Sequence, residues 1–236
     1  MKRNWLLSIS LVLTVVLSAV TNKSIAQEGY ELRFKINGLK DSLVHIANYY
    51  GEKQYLKDSA YADANGNILF KGAESLPGGI YLFVFPNKTY FEFLIDKEQK
   101  FNLECQMGNV IETMKIKGSN DNVLFYEYLK FIQDRSKEVE PLKAQRKAMA
   151  DNHQPTDSLD EKIKAIDKLV IDFKTNFINT HPDCILSAIF KGSQDPEVPE
   201  LPIKPDGSRD SAFAYYYYRN HYFDKLDLSD ERLLRS

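Results

Sequence analysis

Lys115-Ile116-Lys117-Gly118-Ser119-Asn120-Asp121-Asn122-Val123-Leu124-Phe125 is where the chain changes its repeat. Before Gly118, apolar residues alternate with polar ones. After Ser119 they fall on one helical stripe, at Phe125, Tyr128, Leu129, Ile132, Val139 and Leu142. Alternation fits a strand with one buried face, and the longer period fits a helix packed along one side. Ser119 and Asn120 are good N-caps, because a short side-chain oxygen accepts a free backbone N–H of the first turn. The fold class this predicts is α+β: an N-terminal antiparallel β-sandwich or open barrel followed by an all-α helical domain.

Upstream of the switch the chain reads as all-β. Leu32, Phe34 and Ile36 alternate with Arg33 and Lys35. Asn37 to Asp41 turns the chain into a second strand, Leu43 to Tyr50. Asp63-Ala64-Asn65-Gly66-Asn67 holds the residues that reach left-handed backbone cheaply, and separates a strand at Tyr55 to Ala62 from Ile68-Leu69-Phe70. Gly78 to Phe85 is almost entirely apolar after its glycines, which predicts a strand covered on both faces. Tyr90 to Ile95, Phe101 to Cys105 and Ile111 to Ile116 complete about eight short strands.

Downstream, the first helix is expected to bend or restart at Pro141, before a polar break at Asp151 to Pro155. Ser158-Leu159-Asp160-Glu161 has capping-box spacing and opens a second helix. Its stripe of Leu159, Ile163, Ile166, Val170, Phe173 and Phe177 is narrow, as in a helix that pairs with a neighbour. His181-Pro182 ends it, and a short helix follows from Asp183 to Phe190. Gln194 to Gly207 holds four prolines and reads as an extended crossing segment with solvated charges. A further helix is expected from Ser208 to Phe223, and a last one from Ser229 with Leu233 and Leu234 buried. So short a terminal helix is marginal alone, so the polypeptide is expected to continue past Ser236.

The N-terminus reads as an export signal. Lys2 and Arg3 precede an uncharged apolar run, Trp5 to Val20, and Ser24-Ile25-Ala26 forms a small-x-small cleavage site. The run is about 16 residues, short of the ~20 that span a bilayer. A retained anchor is the alternative. The expected division is a signal peptide at 1–26, a β-sandwich domain at 27–118 and a helical domain at 119–236. Localisation is expected in the periplasm or cell envelope, with no stable membrane insertion after cleavage. Of 31 Lys and Arg residues, cleavage removes Lys2, Arg3 and Lys23, leaving 28 against 33 Asp and Glu. Without basic clusters, such a surface offers nucleic acid no electrostatic foothold.

Motifs with chemistry are scarce. There is no nucleophile elbow, phosphate loop or His-Glu-x-x-His. His45, His153, His181 and His221 are scattered. His221 with Asp224 supplies two ligand types three apart, but a metal needs a third. Asp96 with Glu98, and Asp160 with Glu161, read as solvated pairs. Catalytic, cofactor-binding and metal residues are accordingly assigned to none, and no cofactor is expected. Cys105 and Cys184 are the only cysteines; two buried free thiols are preferred to one long-range disulfide. The only tryptophan is Trp5, so a mature chain holds no Trp-Cys-x-x-Cys site. Tyr215-Tyr216-Tyr217-Tyr218 is the unusual local feature. Tyr215, Tyr218 and Tyr222 share a helical face that is a candidate ligand or partner surface, although packing of this helix on two sides is the preferred reading.

The order of these segments resembles a known arrangement. Asp63-x-x-Gly66-x-Ile68-x-Phe70-x-Gly72, then Lys117-Gly118-Ser119-x-x-Asn122, then Tyr217-Tyr218-Arg219-Asn220-His221-Tyr222-Phe223 and Asp227 to Arg235 look like the N-terminal part of exported bacterial thioredoxin-like proteins. These belong to the thiol-disulfide oxidoreductase group, in which a β-sandwich and a helical domain of unknown function precede a thioredoxin fold. The redox domain has no counterpart here, so the resemblance carries over no catalytic residue. It implies a non-catalytic accessory region that positions, dimerises or selects substrates for a thioredoxin-like domain in cis or trans, with a homodimer as a further pairing. The alternatives are a free-standing envelope binding module for a glycan or peptide, and an enzyme whose site follows no known pattern.

Overall fold

A computed structural model describes residues 29–205, 207–210 and 212–236; the expected signal peptide lies outside the described residues. Eight strands form two four-stranded sheets packed as a sandwich, followed by helices, so the fold is α+β as expected. The strands are β1 (Glu31–Asn37), β2 (Leu43–Tyr50), β3 (Lys53–Tyr61), β4 (Asn67–Lys71), β5 (Gly79–Val84), β6 (Tyr90–Ile95), β7 (Lys100–Gln106) and β8 (Lys115–Lys117). One sheet runs β4-β1-β7-β8 and the other β3-β2-β5-β6; all pairs are antiparallel except β1 with β7.

The inward residues follow the alternation read from the sequence. Leu32, Phe34 and Ile36 of β1 face Val44, Tyr81, Phe83 and Phe93 in one core. Phe34 lies at its centre, with ring centroids 4.9 Å from Phe83 and 5.3 Å from Phe93. Tilted and edge-on aromatic pairs of this kind add to simple area burial. The Asp63 turn behaves as its composition implies: the carboxylate accepts from the backbone of Asn65 and Asn67, both at 2.8 Å. Gly66 adopts φ +78°, and a Cβ there would meet the Ile36 carbonyl oxygen at 2.2 Å, so only glycine fits.

A one-turn helix, α1 (Val110–Thr113), joins β7 to β8, and beyond the sandwich come α2 (Asn120–Asp151), α3 (Asp157–Thr180), α4 (Ile185–Gly192), α5 (Phe213–His221) and a 3₁₀ turn at Glu231–Arg235. Ile80 and Leu94, on the outer side of their sheet, join Phe125, Tyr126, Phe177, Ile185 and Phe190 in a second core. β5 is thus covered on both faces, as its unbroken apolar run implied. The α2–α3 seam closes through Phe131 and Phe173, stacked at 4.4 Å.

The join between sheet and helices rests on one buried amide. Ser119 caps α2 by accepting from the Asn122 N–H at 3.3 Å. Asn122 is fully buried; its Oδ1 accepts from the Leu94 N–H at 2.7 Å, and its Nδ2 donates to the Leu94 carbonyl at 2.7 Å and to Ser119 Oγ at 2.9 Å. One turn on, the Tyr126 hydroxyl donates to the Glu92 carbonyl at 2.8 Å. β6 is an edge strand, and these side chains supply the partners that a ninth strand would otherwise provide.

Several local expectations are corrected. Ile111 to Ile116 is not one strand: Thr113 Oγ1 donates to the Asn109 carbonyl at 2.5 Å and accepts from the Gln106 N–H at 2.9 Å, winding α1 before β8 begins. α2 runs through Pro141 unbroken, where proline and Lys137, whose carbonyl loses its donor, both face solvent. α3 starts at Asp157 behind Thr156, so Ser158 lies inside the first turn and caps nothing. The helix expected from Ser208 begins only at Phe213, because Ile203 pairs with Arg209 around a Gly207 turn. In the terminal turn the cap is Asp230 and Leu234 is exposed; Arg232 makes the polar contacts instead.

Asn122→Ala should lower Tm by about 5–10 °C in a thermal melt, since it strands the Leu94 N–H and C=O, each costing about 1–3 kcal/mol when buried. Tyr126→Phe, which loses one bond to Glu92, should cost about 1 kcal/mol. Equal effects of the two substitutions would contradict the assigned role of Asn122.

Candidate functional site

The two thiols were the only candidates for redox chemistry. Both are free and both are buried, Cys105 at 1% exposure in the sandwich core and Cys184 at 6% beside α4. Burial pushes each thiol up to about 12, with a further upward push from the neighbouring carboxylates of Glu104 and Asp121 respectively. The Cys184 thiol also hydrogen-bonds to Asp121, whose own carboxyl is raised mainly by burial, against the lowering effect of that bond. A nucleophilic or resolving cysteine needs the opposite environment, exposed and electropositive. These thiols are packing groups.

The tyrosine run lies elsewhere and is presented differently. α5 has an inner side of Phe213, Tyr217 and His221, spaced four apart, and each is half-buried. Their rings contact in sequence, Phe213 to Tyr217 at 5.6 Å and Tyr217 to His221 at 4.1 Å. Tyr215 (64% exposed), Tyr216, Tyr218, Tyr222 and Phe223 point outward, so the reading that this helix is packed on two sides is corrected. The physical reason is local. Four consecutive tyrosines put apolar rings all round the helix, and no residue of it is buried, the Phe213–Tyr217–His221 side being covered in part by its own rings.

The C-terminal half of this helix and the segment after it are tied down. The Tyr218 hydroxyl donates to Asp195 at 2.7 Å, holding α5 to the proline-rich crossing segment. Beyond α5, His221 pairs with Asp224 at 2.6 Å, and Leu226 packs so closely over Gly192 that a Cβ there would lie 2.3 Å from its Cδ1. The Arg232 guanidinium then binds Asp96 at 2.6 Å and Asp230 at 2.7 Å, joining the terminal turn to the end of β6. Gly78 and Gly79 lie flat beneath it, since a Cβ on either would meet Arg232 or Arg235 at 2.8 and 2.4 Å. Arg219 lies over the Tyr216 ring at 5.2 Å, adding a cation to the outward face. That face is an amphipathic aromatic platform on a helix anchored through Tyr218 and through the segment that follows it. It can stack on or pack against a partner, and it carries no group placed for acid–base or nucleophilic work.

Sequence reasoning singled out Tyr215, Tyr218 and Tyr222, and the structure places all three on one exposed face. It did not single out Tyr216, Phe223 or Arg219, which enlarge that face. His45 bonds Ser59 through Nδ1 at 2.8 Å across the β2–β3 pair. No helix among the described residues is long and apolar enough to cross a membrane.

Residues 30–125 match a family model described as a domain of unknown function (DUF4369). The match takes in all eight strands and runs on through Ser119, Asn122 and Phe125, so it includes the first turns of α2 that close the β6 edge. No curated protein and no solved structure matches the chain.

In the folded protein neither thiol should react with an aromatic disulfide reagent at pH 8, and both should react after denaturation in guanidinium. Stability should also fall as pH rises from about 9 towards 12. In that window the folded state keeps protons on Cys105 and Cys184 that the unfolded chain has released, and the contribution is complete below pH 9. Stoichiometric labelling of either thiol without unfolding would contradict the assignment.

Proposed function

We propose that this chain is a non-catalytic accessory scaffold of an exported thiol-disulfide oxidoreductase system, and that the outward face of α5 contacts a thioredoxin-like domain in cis or trans. Export is supported by the charged start, apolar run and cleavage site within residues 1–26. The choice of partner rests on the segment order quoted above, and the choice of surface on the anchored aromatic face. Tyr215, Tyr218, Tyr222 and Phe223 form a set along a helix whose C-terminal half is held by the Tyr218–Asp195 bond and by Leu226 beyond it. Exposed aromatic rings held in place contribute contact area at little conformational cost, which is why tyrosine is enriched where proteins meet.

Such a scaffold shuttles no electrons. Its buried, protonated thiols leave disulfide exchange to the partner, and its part is to hold or orient that partner. The anchoring gives the scaffold a rigid geometry: α5 is linked through Leu226 and Arg232 to α4 and β6, so a domain resting on it has a set position relative to the sandwich.

Titration of an isotope-labelled thioredoxin-like domain with the purified chain should give a saturable shift in its NMR spectrum. The triple variant Tyr215→Ala, Tyr222→Ala, Phe223→Ala, which leaves the Tyr218–Asp195 bond in place, should abolish the shift while moving Tm by no more than about 2 °C, as expected for exposed positions. The chain alone should not reduce insulin above background. Insulin reduction by the chain alone, or unchanged binding by the triple variant, would refute this reading.

A further inference from the structure

A second surface, separate from α5 and independent of the accessory reading, lies on the outer face of the β4-β1-β7-β8 sheet. A cleft of about 930 Å³ opens there. Strand register arranges its side chains in rows. Leu69, Arg33, Asn102 and Lys117 lie side by side across the four strands, and Asn67, Lys35, Glu104 and Lys115 form the next row. A third row is Lys71, Glu31 and Lys100. Neighbours within a row are about 4.8 Å apart and rows about 7 Å apart, from strand spacing and the two-residue repeat.

The charge on this face is one-sided. Leaving Lys100 aside, Arg33, Lys35, Lys71, Lys115 and Lys117 share it with Glu31 and Glu104, on a chain whose formal net charge is −2. Both carboxylates are already engaged: Glu31 by Arg33 at 2.6 Å and Lys71 at 3.2 Å, and Glu104 by Lys115 at 3.8 Å. Lys35 rests on the Asn65 carbonyl, and Lys117 has no carboxylate partner among the described residues. Like charges repeated along a sheet repel one another, and a ligand with its own spaced anions relieves that repulsion.

The groups between the cations narrow the ligand class. Asn102 offers an amide that both donates and accepts, as sugar hydroxyls require, while Asn67 already donates to Asp63 and Ser59 already bonds His45. Tyr61, 73% exposed, stands at the rim near Leu69 and offers a flat ring to the C–H face of a pyranose. Polar and apolar surface line the cleft in similar measure, and Tyr61 and Leu69 are the large apolar side chains exposed in it. A peptide adding a strand would use a sheet edge, whereas this cleft lies on the face. We propose that the outer face of this sheet binds a carboxylate-bearing polysaccharide, with Lys117 and Lys35 pairing its carboxylates, Arg33 exchanging its exposed Glu31 partner for another of them, and Tyr61 stacking on a sugar ring.

Isothermal titration of the purified protein with oligogalacturonate tests this, with a neutral oligosaccharide of the same length and poly-glutamate as comparators. Oligogalacturonate should bind, more weakly as salt rises from about 20 to about 200 mM, and the neutral oligomer should not bind. Arg33→Glu with Lys117→Glu should weaken binding about tenfold or more, and Tyr61→Ala about threefold or more, because opposed rim charges and a lost stacking ring act on the same complex. Tyr215→Ala should leave binding unchanged, which separates this site from α5. Each residue is exposed, so Tm should hold; if the double reversal does not fold, Lys35→Gln with Lys117→Gln replaces it. Absence of oligogalacturonate binding, equal binding of poly-glutamate, or indifference to Tyr61→Ala would overturn the proposal.

Discussion

A strand edge buried beneath a helix needs hydrogen-bond partners for its outward N–H and C=O groups, and this protein depends on how that need is met. A peptide-like side chain can stand in for a neighbouring strand only if it both donates and accepts, which asparagine does. Asn122 takes both backbone groups of Leu94, and Tyr126 takes the carbonyl of Glu92. Spaced four apart on α2, the two residues read two successive outward positions of β6. Ser119 is held between its roles as cap and as acceptor for Asn122, which fixes where the helix begins. Gly118, at φ +87°, lets the chain leave β8 and rise to that position.

From this join the second core follows. Once α2 lies on β6, Leu94 and Ile80 face Phe125, Tyr126 and Phe177, and α3 and α4 close over them. The terminal turn returns to the same strand through Arg232 and Asp96. Both thiols are enclosed by this packing, Cys105 in the sandwich and Cys184 at the start of α4. What remains for function is surface: the outward rings of α5 on one side, the cationic rows of the β4-β1-β7-β8 sheet on another.

Much of the β region could be read from local pattern, because alternation reports burial directly. Leu32, Phe34 and Ile36, the Asp63 turn and the two-sided burial of β5 all carry short-range signals. Asn122 carries none. Its burial is earned by pairing with a strand about thirty residues earlier, which an apolar stripe cannot register. Pro141 was misread because its lost hydrogen bond is harmless where both groups face water. α5 was misjudged because tyrosine is apolar in its ring and polar at its tip, so composition alone does not say which side is covered. Arg33 and Lys35 were visible as an outward face, but their alignment with Asn102 and Lys117 exists only in the register of β1, β7 and β8.

The Asn122 join makes sandwich and helices one cooperative unit. Scanning calorimetry of the purified protein measures this directly. A single transition is expected, with calorimetric and van't Hoff enthalpies that agree. Two resolved transitions, one for the sandwich and one for the helices, would contradict it.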